Sequence, residues 1–344
     1  MLSRDNNSCQ QPGTRSPNTS ASASPDMLST LLPLMRSCVC TLVTAAALFC
    51  TLSTVARAND FDQIVAFGDS LMDSGNAFVL TGAVATPPFA PVPSAAYAIG
   101  GHHFSNGPTW VEQLGQVLGL QRSTGPSARN PKVFSNYAVG GARARDVPGS
   151  SSASQQLEQY LAFSNGAASS SALYLFGFGG NDVRDALAMG PVNGPPLVSA
   201  AVSAITTNLL NLCSAGAMHI LIANVPNVGT TPLAQSFGEP AITGAMLLSA
   251  GLNNGVQFFI ANVVQPSCPE TRFYTLDLYA LSSAVFGAPD LYGFSDAQPC
   301  LTFDQTGNSI CRKPNTKFFW DAIHPTKAGH KLVAADAVKV LLMP

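Results

Sequence analysis

The chain has 344 residues, of which 46% are hydrophobic and only 10% charged, and its formal net charge is −2. This length suits one large domain or two small ones, and the apolar fraction is ample for a buried core. A net charge so close to zero argues against nucleic-acid binding, which normally needs a basic face, so we expect no nucleic-acid partner.

Residues 1–58 are expected to be an extension and a signal peptide rather than part of the fold. A stretch rich in Ser, Asn and Pro precedes an apolar run at about residues 39–55, and small residues that end at Ala58 supply a cleavage site. An uncleaved anchor is the alternative, because the run is close to the ~18 residues that a membrane span needs. We favour cleavage near Ala58, a secreted or periplasmic mature chain without an integral membrane segment, and a start at Met1 or Met27.

The remaining residues, 59–344, have the pattern of one α/β domain. Five short apolar runs lack polar alternation, as do strands that are covered on both faces. These runs are residues 63–67, 132–137, 172–177, 219–224 and 272–276. Helical periodicity occurs at residues 109–118, 200–212, 241–264 and from Pro325 to about Leu342. The alternation predicts a three-layer α/β/α sandwich with a mostly parallel sheet.

Two long segments interrupt this alternation, at residues 81–108 and 277–319. Loops of this length inside a compact domain are usually functional or disordered. Both follow strands at the sheet edge where open α/β folds bind ligands, so we expect them to form walls of a substrate site. The first contains His102 and His103, which lack a third metal ligand nearby and are interpreted as solvated loop side chains.

Four cysteines remain after the expected cleavage site, and four cysteines allow three pairings. Cys300 and Cys311 bracket a short loop that contains Gly and Asn, so they are the favoured disulfide in an exported chain. Cys213 and Cys268 are then left to pair with each other.

The segment FGDSLMDSGN places Ser70 at the carboxyl end of the first predicted strand. Open α/β sheets bind ligands at this edge, although a serine in a structural turn is the alternative. Near the C-terminus, Asp321 and His324 stand three residues apart. The carboxylate can accept the N–H of one imidazole nitrogen while the other nitrogen faces a nucleophile. For an isolated pair, a helix-capping Asp321 and a surface His324 would be the better interpretation.

Two glycine-rich turns strengthen the catalytic interpretation. NYAVGGA leaves the second predicted strand through two glycines, and glycine lets a backbone N–H approach a ligand. GGND leaves the third strand and offers the amide of Asn181. The N–H groups of Ser70 and Gly141 and the amide of Asn181 can donate to an oxyanion. Three consecutive strands that end in such residues make unrelated turns a poorer explanation.

In this order, FGDSLMDSGN, NYAVGGA, GGND and DAIHPT resemble the four blocks of the GDSL esterase/lipase family, also called SGNH hydrolases. The resemblance covers nearly the whole mature chain. It implies a flavodoxin-like fold with five parallel strands and no metal or organic cofactor. It also implies that Ser70 is the nucleophile, that His324 is the base and that Asp321 orients the base. The implied oxyanion hole consists of Ser70, Gly141 and Asn181.

The implied activity is the hydrolysis of small-molecule or lipid carboxylic esters by an exported enzyme, which we expect to be a monomer. An acyltransferase, a phospholipase and a polysaccharide deacetylase on the same fold stay open as alternatives. A non-catalytic surface-binding module is disfavoured, because all five site positions carry competent residue types. The apolar composition of the two long segments favours an apolar acyl group and does not fix its length.

Overall fold

The computed structural model describes residues 61–82, 97, 100–304 and 307–343. The expected signal peptide and its cleavage site near Ala58 lie outside these residues, as does part of segment 81–108. The described residues belong to one compact unit, Ala56–Pro344.

A four-stranded parallel sheet forms the centre of this unit, with the strand order β1-β2-β3-β4. Its strands are β1 (Gln63–Gly68), β2 (Ala172–Gly177), β3 (His219–Ala223) and β4 (Arg272–Leu276). Nearly every residue of β1, β2 and β3 is buried. Since both faces of these strands are covered, their sequences are continuously apolar rather than alternating.

The second of the five expected strands, at residues 132–137, is not an extended strand. The carbonyl of Asn130 accepts hydrogen bonds from the next residues in a turn, including the N–H of Phe134 at 2.9 Å. A parallel bridge between Asn136 and Ala66 and a hydrogen bond from Ser135 Oγ to the carbonyl of Ile64 then join the segment to β1. The sheet therefore has four strands rather than five. The bridge takes the position of the outer strand in the flavodoxin-like order 2-1-3-4-5, and the predicted α/β/α sandwich is confirmed.

Helices cover both faces of the sheet. They are α1 (Asn76–Thr81), α2 (Trp110–Leu118), α3 (Ala153–Phe163), α4 (Gly180–Ser214), α5 (Pro232–Phe237), α6 (Ala241–Phe259), α7 (Leu278–Gly287) and α8 (Lys327–Leu342). Helices α3, α4 and α6 pack on one face, and α2, α7 and α8 pack on the other. Helix α6 continues through a π-helical stretch, Ile260–Val264, and a last turn, Gln265–Ser267.

Local signals in the sequence fix two helix starts beside the expected site. Thr109 caps α2 in a capping box with Glu112, whose carboxylate accepts the N–H of Thr109 at 2.8 Å. Thr326 caps α8 and accepts the N–H of Gly329 at 3.1 Å. Helix α8 therefore begins at Lys327, two residues after the expected start at Pro325.

Helix α4 consists of two helices joined at Gly190, whose φ of 76° is not helical. Two helical stretches are long and apolar enough to meet the criteria for a membrane span. They are Gly180–Ser214, which is α4, and Ala241–Ser267, which is α6 with its continuation. Both helices contribute to the core that covers one face of the sheet. On α6, Leu247 and Phe258 are nevertheless exposed.

Segment 277–319 contains more regular structure than its sequence predicted. Asp277 caps α7 by accepting the N–H of Ala280 at 3.0 Å. A hairpin follows, formed by β5 (Leu301–Asp304) and β6 (Gly307–Ile310).

The two expected cysteine pairs both lie at disulfide distance. The Cα atoms of Cys300 and Cys311 are 4.8 Å apart, at the base of the hairpin. The Cα atoms of Cys213 and Cys268 are 6.2 Å apart, and this pair links the end of α4 to the segment after α6. Paired cysteines of this kind fit an extracellular location.

Candidate active site

The turn after β1 holds Ser70 at the carboxyl edge of the sheet. The Asp69 carboxylate accepts the N–H of Leu71 at 3.0 Å, and the Asp69 carbonyl accepts the N–H groups of Met72 and Asp73. Ser70 is 8% exposed, so only a small part of its side chain reaches solvent. Its backbone N–H has no acceptor among the described residues.

His324 connects Ser70 to Asp321. Its Nε2 lies 2.8 Å from Ser70 Oγ, and its Nδ1 lies 2.7 Å from Asp321 Oδ2. Both His324 and Asp321 are buried. In such a row the imidazole can take a proton from the hydroxyl while the carboxylate holds the ring.

Backbone donors fix the carboxylate of Asp321. Its Oδ1 accepts the N–H groups of Ile323 at 2.9 Å and His324 at 2.7 Å. Burial alone would raise the pKa of Asp321, but the imidazole of His324 and these N–H groups outweigh burial and hold the pKa below 3.8. The carboxylate is therefore ionised at neutral pH. Because Thr326 caps α8, the alternative in which Asp321 is the helix cap is wrong.

Gly141 lies in the turn that follows the bridge to β1. Its φ of 80° is left-handed, and its N–H has no acceptor in the described part of the chain. The neighbouring N–H of Gly140 donates to the carboxylate of Asp73 at 2.8 Å. That carboxylate also accepts the N–H of Asn76, so Asp73 ties the Gly141 turn to the turn that carries Ser70.

Asn181 lies in the first turn of α4, after β2. Its Nδ2 donates to the carbonyl of Ala142 at 2.9 Å, which holds the amide against the Gly141 turn. The Asn181 nitrogen carries two hydrogens, so a second N–H is available to a ligand. Next to it, the Asp182 carboxylate accepts the N–H of Ala144 at 2.8 Å. Asp69, Asp73 and Asp182 thus all hydrogen-bond backbone N–H groups in these turns.

An apolar hollow with a cavity volume of about 50 Å³ is lined by chain neighbours of Ser70 and His324. Leu71, the neighbour of Ser70, lines it, as do Ile323 and Pro325 on either side of His324. Other lining side chains come from α7 and the segment before α8, including Leu278, Leu281, Phe318 and Phe319.

Two aromatic residues that contact the site belong to none of the sequence motifs. The hydroxyl of Tyr97 donates to Asp321 Oδ2 at 2.9 Å, and the ring of Phe104 lies 5.2 Å from the ring of His324.

Contrary to the expected solvated loop, His103 is buried, and its Nε2 bonds the carboxylate of Glu112. In the described ranges, no group of three or more His, Cys, Asp or Glu residues could hold a metal ion.

A parallel α/β/α sandwich with a hydrogen-bonded Ser-His-Asp row at its strand ends is an architecture of serine hydrolases. Across residues 64–337 the chain matches the model of the GDSL-like Lipase/Acylhydrolase family, and it belongs to that family.

Relatives in bacteria and plants share about a quarter of their aligned residues with this chain. An uncharacterized protein in the trpE-trpG intergenic region of Pseudomonas putida is 28% identical, over 91% of this chain and 53% of the relative. The thermolabile hemolysin of Vibrio parahaemolyticus is 27% identical, over 81% and 63%. A GDSL esterase/lipase of Arabidopsis thaliana is 26% identical, over 79% and 86%. The chain thus spans between about half and two thirds of the length of these two bacterial relatives.

Among solved structures, the chain is similar to Axe2, an acetylxylan esterase from Geobacillus stearothermophilus. The TM-score is 0.44 at 13% identity, over 82% of this chain and 94% of Axe2. The chain is also similar to LAE5, an alpha/beta hydrolase enzyme from the metagenome of Lake Arreo. The TM-score is 0.43 at 15% identity, over 81% of this chain and 94% of LAE5. With scores below 0.5, these likenesses say nothing about the substrate of this chain.

Proposed function

We propose that this protein is an exported carboxylic-ester hydrolase with Ser70 as its nucleophile. The observation that carries the proposal is the continuous row from Ser70 Oγ through His324 to Asp321, with contacts of 2.8 Å and 2.7 Å. The cysteine pairs at disulfide distance support export. The signal peptide and its cleavage near Ala58 are part of the proposal.

Acylation begins when Ser70 Oγ attacks the carbonyl carbon of the ester and His324 Nε2 takes the hydroxyl proton. The carboxylate of Asp321 stabilises the imidazolium that forms. When the tetrahedral intermediate collapses, the C–O bond to the alcohol breaks, and His324 returns the proton to the departing oxygen. The acyl group then remains as an ester on Ser70.

Deacylation repeats these steps with water. His324 takes a proton from the water, the oxygen attacks the acyl carbon, and Ser70 Oγ leaves with the proton that His324 returns. The products are a free carboxylic acid and the original enzyme.

In both steps, the negative oxygen is proposed to lie against three donors, the N–H groups of Ser70 and Gly141 and the amide of Asn181. The absence of other acceptors for the two backbone N–H groups, within the described residues, supports this assignment. The bond from Asn181 to Ala142 supports it further, because it holds the amide beside the Gly141 turn. Donors fixed before the reaction stabilise the developing charge without reorganisation.

The apolar hollow that Leu71, Ile323 and Pro325 line supports an aliphatic acyl group as the acid part of the substrate. Each buried methylene contributes about 0.8 kcal/mol, or roughly a fourfold gain in binding. Across p-nitrophenyl esters from acetate to laurate, kcat/KM should rise with chain length until the hollow is full. A maximum at acetate would instead favour a deacetylase.

The experiment that tests the proposal compares two serine variants from the same turn. Ser70→Ala should lower kcat for a short p-nitrophenyl ester by about 10⁴ to 10⁶. Ser74→Ala is the matched control, because Ser74 is also buried and its hydroxyl has no partner among the described residues. The control should keep parent activity, whereas a Ser70→Ala activity within tenfold of the parent would refute the proposal.

A further inference from the structure

The hydroxyl of Tyr97 contacts the proposed catalytic row from a distant part of the chain. It lies 2.9 Å from Oδ2 of Asp321, the same oxygen that meets His324 Nδ1. Tyr97 is only 1% exposed. Burial and the neighbouring carboxylate raise the pKa of Tyr97 far above 10, so the hydroxyl stays protonated and acts as the donor.

With Tyr97, the carboxylate of Asp321 has four donors, two at each oxygen. The N–H groups of Ile323 and His324 bond Oδ1, while the Tyr97 hydroxyl and the His324 ring bond Oδ2. The two backbone donors follow Asp321 closely along the chain and belong to the same turn as the carboxylate. Tyr97 is the one side-chain donor, among the described residues, that reaches Asp321 from outside this turn.

Residues 103–107, which follow Tyr97 closely along the chain, are fastened to the chain after His324. Ser105 Oγ donates to the carbonyl of Pro325 at 2.8 Å, and the N–H of Lys327 donates to Asn106 Oδ1 at 2.7 Å. The ring of Phe104 packs 5.2 Å from the ring of His324. Tyr97 and Phe104 also share a small core with Trp320, which directly precedes Asp321. Tyr97 therefore contacts Asp321, and Phe104 contacts His324.

We propose that Tyr97 is a positioning residue, whose hydroxyl holds the carboxylate of Asp321 in the orientation that His324 needs. This inference rests on the proposed function, since it assigns a role to the Asp-His pair in ester hydrolysis. The hydroxyl fixes the plane of the carboxylate and takes up part of its charge.

Tyr97→Phe removes the hydroxyl and keeps the ring. We expect kcat to fall about tenfold with KM within twofold of the parent, because a misplaced base affects the transition state more than substrate binding. The acid limb of the kcat/KM profile should move to higher pH. The reason is that a carboxylate with one donor fewer attracts the proton on the neighbouring imidazole more strongly.

Tyr160→Phe is the matched control. Tyr160 is buried in α3, and its hydroxyl lies 2.8 Å from that of Tyr174, in the core on the other face of the sheet from α8. Both variants lose one buried hydrogen bond, so their melting temperatures should fall by similar amounts, while only Tyr97→Phe should change kcat and the pH profile.

Parent-like kcat and an unshifted acid limb in a folded Tyr97→Phe protein would overturn the inference, whatever its melting temperature. So would an equal loss of kcat in Tyr160→Phe, because this would reflect stability alone. Neither result contradicts the proposed function, which the Ser70→Ala variant tests separately.

Discussion

The carboxylate of Asp69 is buried in the turn that holds Ser70. Burial raises the pKa of Asp69 from 3.8 to about 6, and the charge of Asp182 adds to this effect. The N–H of Leu71 and the neighbouring His324 and Arg184 act in the opposite direction and only partly offset it. Since the folded chain binds this proton more tightly than the unfolded chain, the contribution of Asp69 to stability is favourable below about pH 4. It is lost as the pH rises through 6.

Asp69→Asn should therefore stabilise the protein at neutral pH, since the amide oxygen can still accept the N–H of Leu71. The gain in unfolding free energy over the parent should grow between pH 4 and pH 7 and then level off, on the order of 2–3 kcal/mol. Urea titrations of both proteins across this range measure the gain. A constant or shrinking difference would show that ionised Asp69 is not costly to the fold.

Asn181 has two roles that one variant can separate. It is a proposed oxyanion donor, and its bond to Ala142 contributes to stability. Asn181→Ala should lower kcat by about 10² to 10³ with little change in KM, because the ground-state carbonyl carries less charge than the tetrahedral state. It should also cost roughly 1 kcal/mol of stability through the lost bond to Ala142.

Asn208→Ala is the control for this variant. Asn208 is buried in the same helix, α4, and its amide donates to the carbonyl of Ala204 at 2.9 Å. The control should lose stability without losing kcat. If Asn181→Ala behaved in the same way, Asn181 would be a structural residue and not an oxyanion donor.

At the scale of elements, the Gly141 turn and segment 100–107 approach each other closely at one glycine. A Cβ on Gly140 would lie 2.1 Å from Cε2 of Phe104, whose ring packs beside His324. Phe104 is 2% exposed, so its ring has little room to move away from the added methyl group. The lack of a side chain at Gly140 therefore allows the ring of Phe104 to pack against His324.

Gly140→Ala should displace Phe104 and lower kcat about tenfold or more, since small misplacements at a site have large effects on rate. Gly251→Ala is the control, because a Cβ at this position in α6 meets nothing within 4 Å. The control should keep its activity and gain up to about 1 kcal/mol of stability from helix propensity. Equal kcat values in the two variants would contradict the account of this contact.

The elements that the sequence predicted well are those whose signals are local. Continuous apolar runs marked the buried strands, and helical periodicity at residues 109–118 marked α2. The apolar run at residues 132–137 was wrongly predicted to be a strand, because a turn that begins at Asn130 occupies its first half. Helical periodicity was visible only in the second half of α4, because Gly190 and three prolines interrupt the first half.

In the candidate site, the motifs that contain Ser70 and the Asp321–His324 pair predicted side chains that meet, because one lies at the end of β1 and the other directly before α8. The contact of Tyr97 with Asp321 joins residues 224 positions apart and belongs to none of these motifs. No periodicity or spacing could have indicated it, because only the tertiary structure brings these two residues together.

At the scale of the whole molecule, the proposed export can be tested on the mature chain. Cleavage after Ala58 would leave Asn59 as the first residue, five positions before the first residue of the family match at Ile64. We expect N-terminal sequencing of the exported protein to begin at Asn59. A mature protein that retains residues 39–55 would instead support the uncleaved anchor.

The central claim is that Ser70 is a nucleophile activated by His324, and covalent labelling tests it most directly. A fluorophosphonate, which reacts with activated serines, should add one group per chain, and mass spectrometry of peptides should locate that group on Ser70. The His324→Ala variant should label far more slowly, and Ser70→Ala not at all. Stoichiometric labelling of another serine, or labelling that survives in Ser70→Ala, would contradict the account.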